Sequence, residues 1–119
     1  MPELNHHKIN YVEFATKDLS ASKLFFQAAF NWQFKDYGPE YSAIEEGGLD
    51  GGFYQADTCA RTENGSALVV LYSANLEATQ QSVTAAGGIV IKEIFPFPGG
   101  RRFQFLEPGG NELAVWSDI

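Results

Sequence analysis

Two stretches of the chain share one rhythm of apolar and polar positions. In the first, Ile9 to Phe14 alternates, Asp18 follows, and Leu19 to Phe30 carries apolar residues at helical spacing. In the second, Ser66 to Tyr72 leads through Asn75 into Leu76 to Ala86, closed by Gly87-Gly88. Asp and Asn side chains accept hydrogen bonds from first-turn N–H groups, so both read as helix caps. An offset of 57 residues superposes the stretches, with Val12 on Val69, Leu19 on Leu76, Ala21 on Ala78, Ala28 on Ala85, Ala29 on Ala86 and Asp18 on Asn75. The chain reads as an internal duplication of a strand, cap and helix.

Three short β-like stretches follow each helix. They are Gln33 to Tyr37, Tyr41 to Glu46 and Gly51 to Gln55 in the first half, and Ile89 to Ile94, Arg102 to Leu106 and Glu112 to Ser117 in the second. Each half is therefore predicted as β-α-β-β-β, spanning about 6–56 and 64–119. The helices cover 18–30 and 76–86 and bury Leu19, Phe26 and Phe30 in one and Leu76 and Val83 in the other. Ala56 to Gly65, rich in Asp, Thr, Glu and Asn, is the joint, short enough that the halves must pack together. Pro108-Gly109-Gly110-Asn111 reads as a tight hairpin whose glycines supply positive φ.

At 119 residues the chain fits one domain, and 45% apolar residues with 10 Phe, 5 Tyr and 2 Trp give it ample core material. Eight Lys and Arg against fifteen Asp and Glu leave a net charge of −7, and Arg101-Arg102 is the only adjacent basic pair, so a nucleic-acid partner is not expected. The longest apolar run, Ala67 to Tyr72, is far short of the roughly 20 residues of a membrane span. Met1 to His7 has no apolar signal region, and the expected location is the cytoplasm. The single cysteine, Cys59, excludes an intrachain disulfide. No phosphate-binding loop, dinucleotide fingerprint or nucleophile elbow occurs, and the glycine pairs at 47–48, 51–52 and 99–100 read as turns and bulges.

The duplicated modules resemble the vicinal oxygen chelate superfamily, which contains glyoxalase I, bleomycin-resistance proteins and extradiol dioxygenases. The resemblance rests on Asp18-Leu19 opening the first helix, Phe25-Phe26 within it, Phe30-Asn31-Trp32 after it, and Phe105-Leu106-Glu107-Pro108-Gly109-Gly110-Asn111-Glu112-Leu113 near the end. That ending is similar to the family hairpin Phe-x-Asp-Pro-x-Gly-Asn, with Glu107 where Asp is usual. The resemblance implies an α+β fold in which the two modules form a cup-shaped, mostly antiparallel curved sheet with helices on its convex side. It also implies a homodimer, to which the aromatic load of Phe25, Phe26, Phe30, Trp32, Phe34, Phe95 and Phe97 adds an argument, since a monomer would struggle to cover it.

Family metal ligands come from four strand positions, which the resemblance places on Tyr11, Leu68, Ala114 and near Gly51-Gly52. Leu, Ala and Gly cannot coordinate, and a neutral phenol is a poor donor, so neither metal nor other cofactor is expected. His6-His7 reads as a solvated terminus, because adjacent strand residues point to opposite faces.

If Tyr11 faces the cup, so do Ile9 and Glu13, while Val12 and Phe14 face the helix. The same alternation turns Glu112, Ala114 and Trp116 inward against Leu113 and Val115, and Arg102 and Gln104 inward against Phe103 and Phe105. The cup would hold Tyr11, Glu13, Leu68, Val70, Tyr72, Arg102, Gln104, Glu112 and Trp116. Glu13, with Tyr11, is the catalytic candidate, as an acid or base or as a ligand acceptor; the competing reading is an internal ion pair with Arg102. Tyr11 and Trp116 are candidates to stack on a flat ligand, or are plain core aromatics. Arg101-Arg102 reads equally as a solvated edge pair.

Three functions follow. The chain binds a small, partly apolar or aromatic molecule without metal; or it is a metal-dependent glyoxalase- or dioxygenase-type enzyme; or it is a metal-free enzyme using Glu13 and Tyr11 for proton transfer. Should it be an enzyme, the resemblance favours a glyoxalase-like lyase or isomerase over a dioxygenase.

Overall fold

Asp18 and Asn75 start the two helices as the pattern requires. In the computed structural model, which describes residues 6–119, each side chain accepts from the backbone N–H three residues on, Ala21 and Ala78, at 3.1 Å. The order is β1 (Tyr11–Thr16), α1 (Leu19–Phe30), β2 (Phe34–Asp36), β3 (Tyr41–Ile44), β4 (Asp50–Gln55), then β5 (Val69–Tyr72), α2 (Leu76–Ala85), β6 (Ile89–Phe97), β7 (Gly100–Leu106) and β8 (Glu112–Ser117). Asn31 closes α1 in the left-handed conformation, and Gly87 at φ 103° follows the end of α2. The duplication extends to side-chain bonding. Thr16 Oγ1 and Ser22 Oγ lie 2.7 Å apart, and their counterparts 57 residues on, Ser73 and Thr79, lie 2.6 Å apart.

Each module forms a four-stranded open sheet, ordered β1-β4-β3-β2 and β5-β8-β7-β6. The first strand pairs parallel with the last in each, and the other pairings are antiparallel. This is the expected α+β architecture. Several strand limits differ from the pattern. β1 starts and ends two residues later than Ile9 to Phe14, and β5 starts at Val69 rather than Ser66. β6 runs on to Phe97 by absorbing two register shifts, at Val90/Lys92 and Lys92/Phe95. The joint carries a short 3₁₀ turn, Thr62–Asn64.

One core serves both modules. Phe26 packs on Phe53 of β4 at 5.3 Å between ring centroids, while Phe25 of the same helix packs on Phe105 of β7 at 5.7 Å. Leu76 and Val83 of α2 complete the cluster with Phe103, Leu113 and Val115. Phe25, Phe26 and Trp32 are buried, and Phe30, Phe34, Phe95 and Phe97 are half-buried. The surplus of uncovered aromatics expected from the sequence is therefore absent, because α1 reaches both sheets. That argument for a homodimer lapses.

The modules are also joined by a polar cluster at the β7–β8 hairpin. The Glu107 carboxylate is buried and accepts bonds from Ser22 Oγ, the Gly109 N–H and Asn111 Nδ2. Asn111 Nδ2 also donates to the Ala15 carbonyl of β1, and its Oδ1 accepts from the Ala60 N–H. Burial pushes the Glu107 carboxyl above its usual range, and the bonds from Gly109, Asn111 and Ser22 offset part of that push. Of the two hairpin glycines only Gly110 has positive φ, 100°. Gly109 is there for space, since a Cβ would run into the hydroxyls of Thr16 and Ser22.

Candidate functional site

Strand alternation puts Val12, Phe14 and Thr16 toward the helices and leaves Tyr11 and Glu13 on the outer face of the first sheet. There the Tyr11 and Tyr41 hydroxyls share a hydrogen bond, and Tyr41 donates to Glu13 Oε2 at 3.0 Å. Gly52, paired with Glu13 across β1 and β4, lies under the two hydroxyls, and a Cβ there would collide with both. Burial, then the bonds with Tyr11 and Glu13, pushes the Tyr41 hydroxyl well above the usual tyrosine range. Tyr54 pairs with Tyr41 across β3 and β4 and shares this face. The sequence reading missed Tyr41 and Tyr54. Alternation against the buried Ser42, Ile44 and Phe53 would have found them.

The outer face of the second sheet carries a row of four cross-strand partners, Tyr72, Trp116, Arg102 and Phe95. Tyr72 and Trp116 meet edge to face at 5.3 Å, and the Arg102 guanidinium lies 5.5 Å from the Phe95 ring centre. Arg102 Nη2 donates to Gln104 Oε1 at 2.6 Å, and Gln104 Nε2 donates to Glu112 Oε2 at 2.9 Å. The joint folds over this end of the face. Thr62 gives Glu112 its N–H and hydroxyl, and Arg61 Nε stands 3.5 Å from it. Burial alone would raise the Glu112 carboxyl, but the bonds from Thr62, Arg61 and Gln104 outweigh it and hold the group below its usual range.

A cleft of about 540 Å³ opens between β1 and β5. Val12, Phe14, Phe30, Trp32, Ile44 and Leu71 form its apolar walls, and Val70 and Tyr72 also border it. Its volume suits a small molecule. A neighbouring cleft of about 560 Å³ shares Ile44, Gly48, Asp50 and Gly51 with it and is bordered by Tyr11, Glu45 and Glu46.

The nine side chains anticipated in one cup thus fall into separate groups. Tyr11 and Glu13 are joined through Tyr41; Arg102, Gln104 and Glu112 form a hydrogen-bonded chain; Tyr72 and Trp116 are in ring contact; and Val70 sits beside Ala114. Leu68 precedes β5 and is half-buried. Among the described residues no hydrogen bond, ion pair or ring contact links the first group to the second sheet. The Glu13–Arg102 ion pair, the competing reading of Glu13, does not form: Glu13 accepts from Tyr41 and Arg102 donates to Gln104, each within its own module. Arg101 is not a merely solvated partner of Arg102: it pairs with Glu77 and bonds the Ile119 carbonyl.

The family's metal positions do not suit a metal here. Ala114 is fully buried without a donor, Leu68 is apolar, Gly52 has no side chain, and the Tyr11 hydroxyl is bonded to Tyr41. Among the described residues no group of three or more His, Cys, Asp or Glu could hold an ion, and His6 and His7 are exposed, with their rings stacked on each other.

Two packed βαβββ modules, joined by an Asn-containing hairpin, define a class. The Glyoxalase/Bleomycin resistance protein/Dioxygenase superfamily matches residues 8–115, and the chain belongs to it. An uncharacterized protein of Mycolicibacterium smegmatis is 25% identical over 98% of both chains. Among solved structures, a genomically encoded fosfomycin resistance protein from Listeria monocytogenes is similar with a TM-score of 0.77 and 17% identity, over 92% of each chain. A glyoxalase/bleomycin resistance protein/dioxygenase family enzyme from Burkholderia phytofirmans has a TM-score of 0.75 and 19% identity, over 92% of this chain and 98% of that one. A lactoylglutathione lyase from Agrobacterium tumefaciens has a TM-score of 0.69 and 14% identity, over 93% of each. At these identities the likeness shows the fold. Among the described residues no helix is long and apolar enough to cross a membrane.

Proposed function

We propose that the chain binds a small, partly apolar or aromatic molecule without a catalytic metal, in the cleft between β1 and β5. The observation that carries this reading is the cleft itself, about 540 Å³ with Phe30, Trp32 and Ile44 among its walls. The donor set at the family's metal positions supports the metal-free part, since restoring coordination would take several substitutions. Binding in the cytoplasm is consistent with the free Cys59. A homodimer is part of the proposal. Exposed Ile9, Tyr11, Leu49, Val70 and Tyr72 lie on or beside β1, β4 and β5, and β1 and β5 are edge strands. Light scattering that returns a monomer at high micromolar concentration removes it.

The binding test uses the neutral bicycle 1-naphthol and the side-chain N–H signals of the two tryptophans in nitrogen-15 spectra. Trp32 borders the cleft and Trp116 does not, so 1-naphthol moves the Trp32 signal saturably. A Trp32 signal that stays still to millimolar concentration contradicts the reading. One observation favours a second reading, proton transfer without metal: Tyr41 stands between Tyr11 and Glu13 in a continuous hydrogen-bonded chain. Under that reading Glu13→Gln abolishes turnover while the fold survives.

A further inference from the structure

The duplication extends to the two hairpins that close the modules. Glu45-Glu46-Gly47-Gly48-Leu49, between β3 and β4, matches Glu107-Pro108-Gly109-Gly110-Asn111, between β7 and β8. The second glycine has φ 106° in the first and 100° in the second. The hydroxyl pairs match too. Thr16 and Ser22 correspond to Ser73 and Thr79, and in each pair the first member accepts from the N–H of the helix cap, Asp18 or Asn75. Two such halves have the parts for two equivalent junctions, and one of them is made.

At the made junction the second hairpin sits on the first module. Glu107 accepts from the Ser22 hydroxyl at 2.8 Å, the Gly109 carbonyl accepts from the Lys17 N–H at 3.1 Å, and the Asn111 amide donates to the Ala15 carbonyl. At the matching place, among the described residues, no carboxylate reaches Ser73 or Thr79, and one hydroxyl proton of that pair is left without an acceptor. Glu45 is exposed, and its hairpin rests on its own module. A Cβ on Gly47 would run into Ile44 and Trp32, whereas one on Gly109 would run into Thr16 and Ser22. The second hairpin is also tied internally, from Glu107 N–H to Asn111 and from Gly110 N–H to Glu107, while the Glu45 N–H donates outside its hairpin, to Gln33.

The cleft occupies the gap. Gly47, Gly48 and Leu49 line one side of it, and Val70 and Tyr72 line the other. Tyr72 is the counterpart of Ala15, the residue that Asn111 reaches in the made junction, and Leu49 stands in the place of Asn111.

We propose that residues 45–49 are a lid that swings onto the end of β5 and the start of α2. Glu45 then accepts from the Ser73–Thr79 pair as Glu107 accepts from Ser22, and Leu49 covers Tyr72. Both of these side chains are exposed with the lid open, so closure removes apolar surface from water and shuts the mouth of the cleft over its occupant. Gly47 and Gly48 give the hairpin its freedom to turn. What the lid covers rests on the binding reading above; the closing movement does not.

The test traps the closed lid with no ligand present. Leu49→Cys with Tyr72→Cys, in a Cys59→Ser background, is oxidised by copper-phenanthroline and followed by mass and non-reducing electrophoresis. The control is Glu46→Cys with Tyr72→Cys, because Pro108, the counterpart of Glu46, points to solvent at the made junction. The 49–72 pair forms an intramolecular disulfide roughly tenfold faster than the control. Adding Thr79→Val or Glu45→Ala slows it by roughly fivefold, and both together slow it no more than either alone, since the two groups act through one contact. Equal rates for the two pairs overturn the inference, as do rates that Thr79→Val and Glu45→Ala leave unchanged. Disulfides between two copies also overturn it, because the hairpin would then dock on a second chain. Should the Tyr72 variants not fold, Val70→Cys replaces Tyr72→Cys in both pairs. The cleft is judged separately, by 1-naphthol at Trp32 in the wild type: a lid that traps while 1-naphthol leaves Trp32 still removes the binding reading and upholds the closure.

Discussion

Asn111→Ala isolates what the hairpin contributes to joining the modules. The side chain is fully buried and makes three hydrogen bonds, to the Ala15 carbonyl at 2.8 Å, to Glu107 Oε2 at 2.8 Å and from the Ala60 N–H at 2.6 Å. Each is worth about 1 kcal/mol net, and the one to the carboxylate about 1.5 to 3 kcal/mol. Alanine leaves the Ala15 carbonyl and the Ala60 N–H without this partner and takes a donor from a buried acid, so the loss is about 3 to 5 kcal/mol. Against a total of about 5 to 15 kcal/mol for a domain, that is a large share. At about 4 °C per kcal/mol for a chain of this size, the melting midpoint drops by about 12 to 20 °C. Urea titration followed by circular dichroism gives the free energy directly. The m-value should stay unchanged, since both modules still unfold together. Because Asn111 and Ser22 share Glu107, the cost of Ser22→Ala is not additive with that of Asn111→Ala. A loss below about 1 kcal/mol would refute the view that this polar cluster locks the modules.

Two further outcomes are expected. Burial holds the Glu107 carboxyl above its usual range, so the native state binds this proton more tightly than the unfolded chain does. Its contribution to stability is full in acid and is lost as pH rises through the native value, so as pH climbs from the ordinary carboxyl range wild-type stability carries a falling component that Glu107→Gln lacks; parallel profiles for the two proteins would contradict this. Gly52→Ala forces the Tyr11 and Tyr41 hydroxyls apart, and ultraviolet titration should then find one tyrosine ionising at lower pH than in the wild type, whereas an unchanged curve would deny the crowding.

Much of the fold was legible because it is local. The caps Asp18 and Asn75, the helix limits and the alternation on β1, β5, β7 and β8 are set by neighbours within a few residues, and their side chains face as the period requires. Long-range effects were not legible. Phe25 and Phe30 looked surplus in the sequence, but α1 reaches across to Phe105 in the other module. An ion pair between Glu13 and Arg102 was one of two readings, yet Glu13 is bonded by Tyr41 and Arg102 bonds Gln104, and neither contact can be read from one strand's period. Tyr41 opens a strand of only four residues and Tyr54 lies on one that begins with two glycines after Asp50, so alternation is brief on both. The substitution of Glu107 for the usual Asp read as a departure from a motif; in the structure its carboxylate reaches Ser22 of the first module.

The central claim is that the cleft binds a small aromatic molecule and that no metal takes part. Calorimetric titration of chelator-stripped wild-type protein with 1-naphthol, repeated after addition of nickel, tests both halves at once. The account predicts one saturable isotherm, the same with and without the metal. Binding heat that appears only once nickel is present would contradict it.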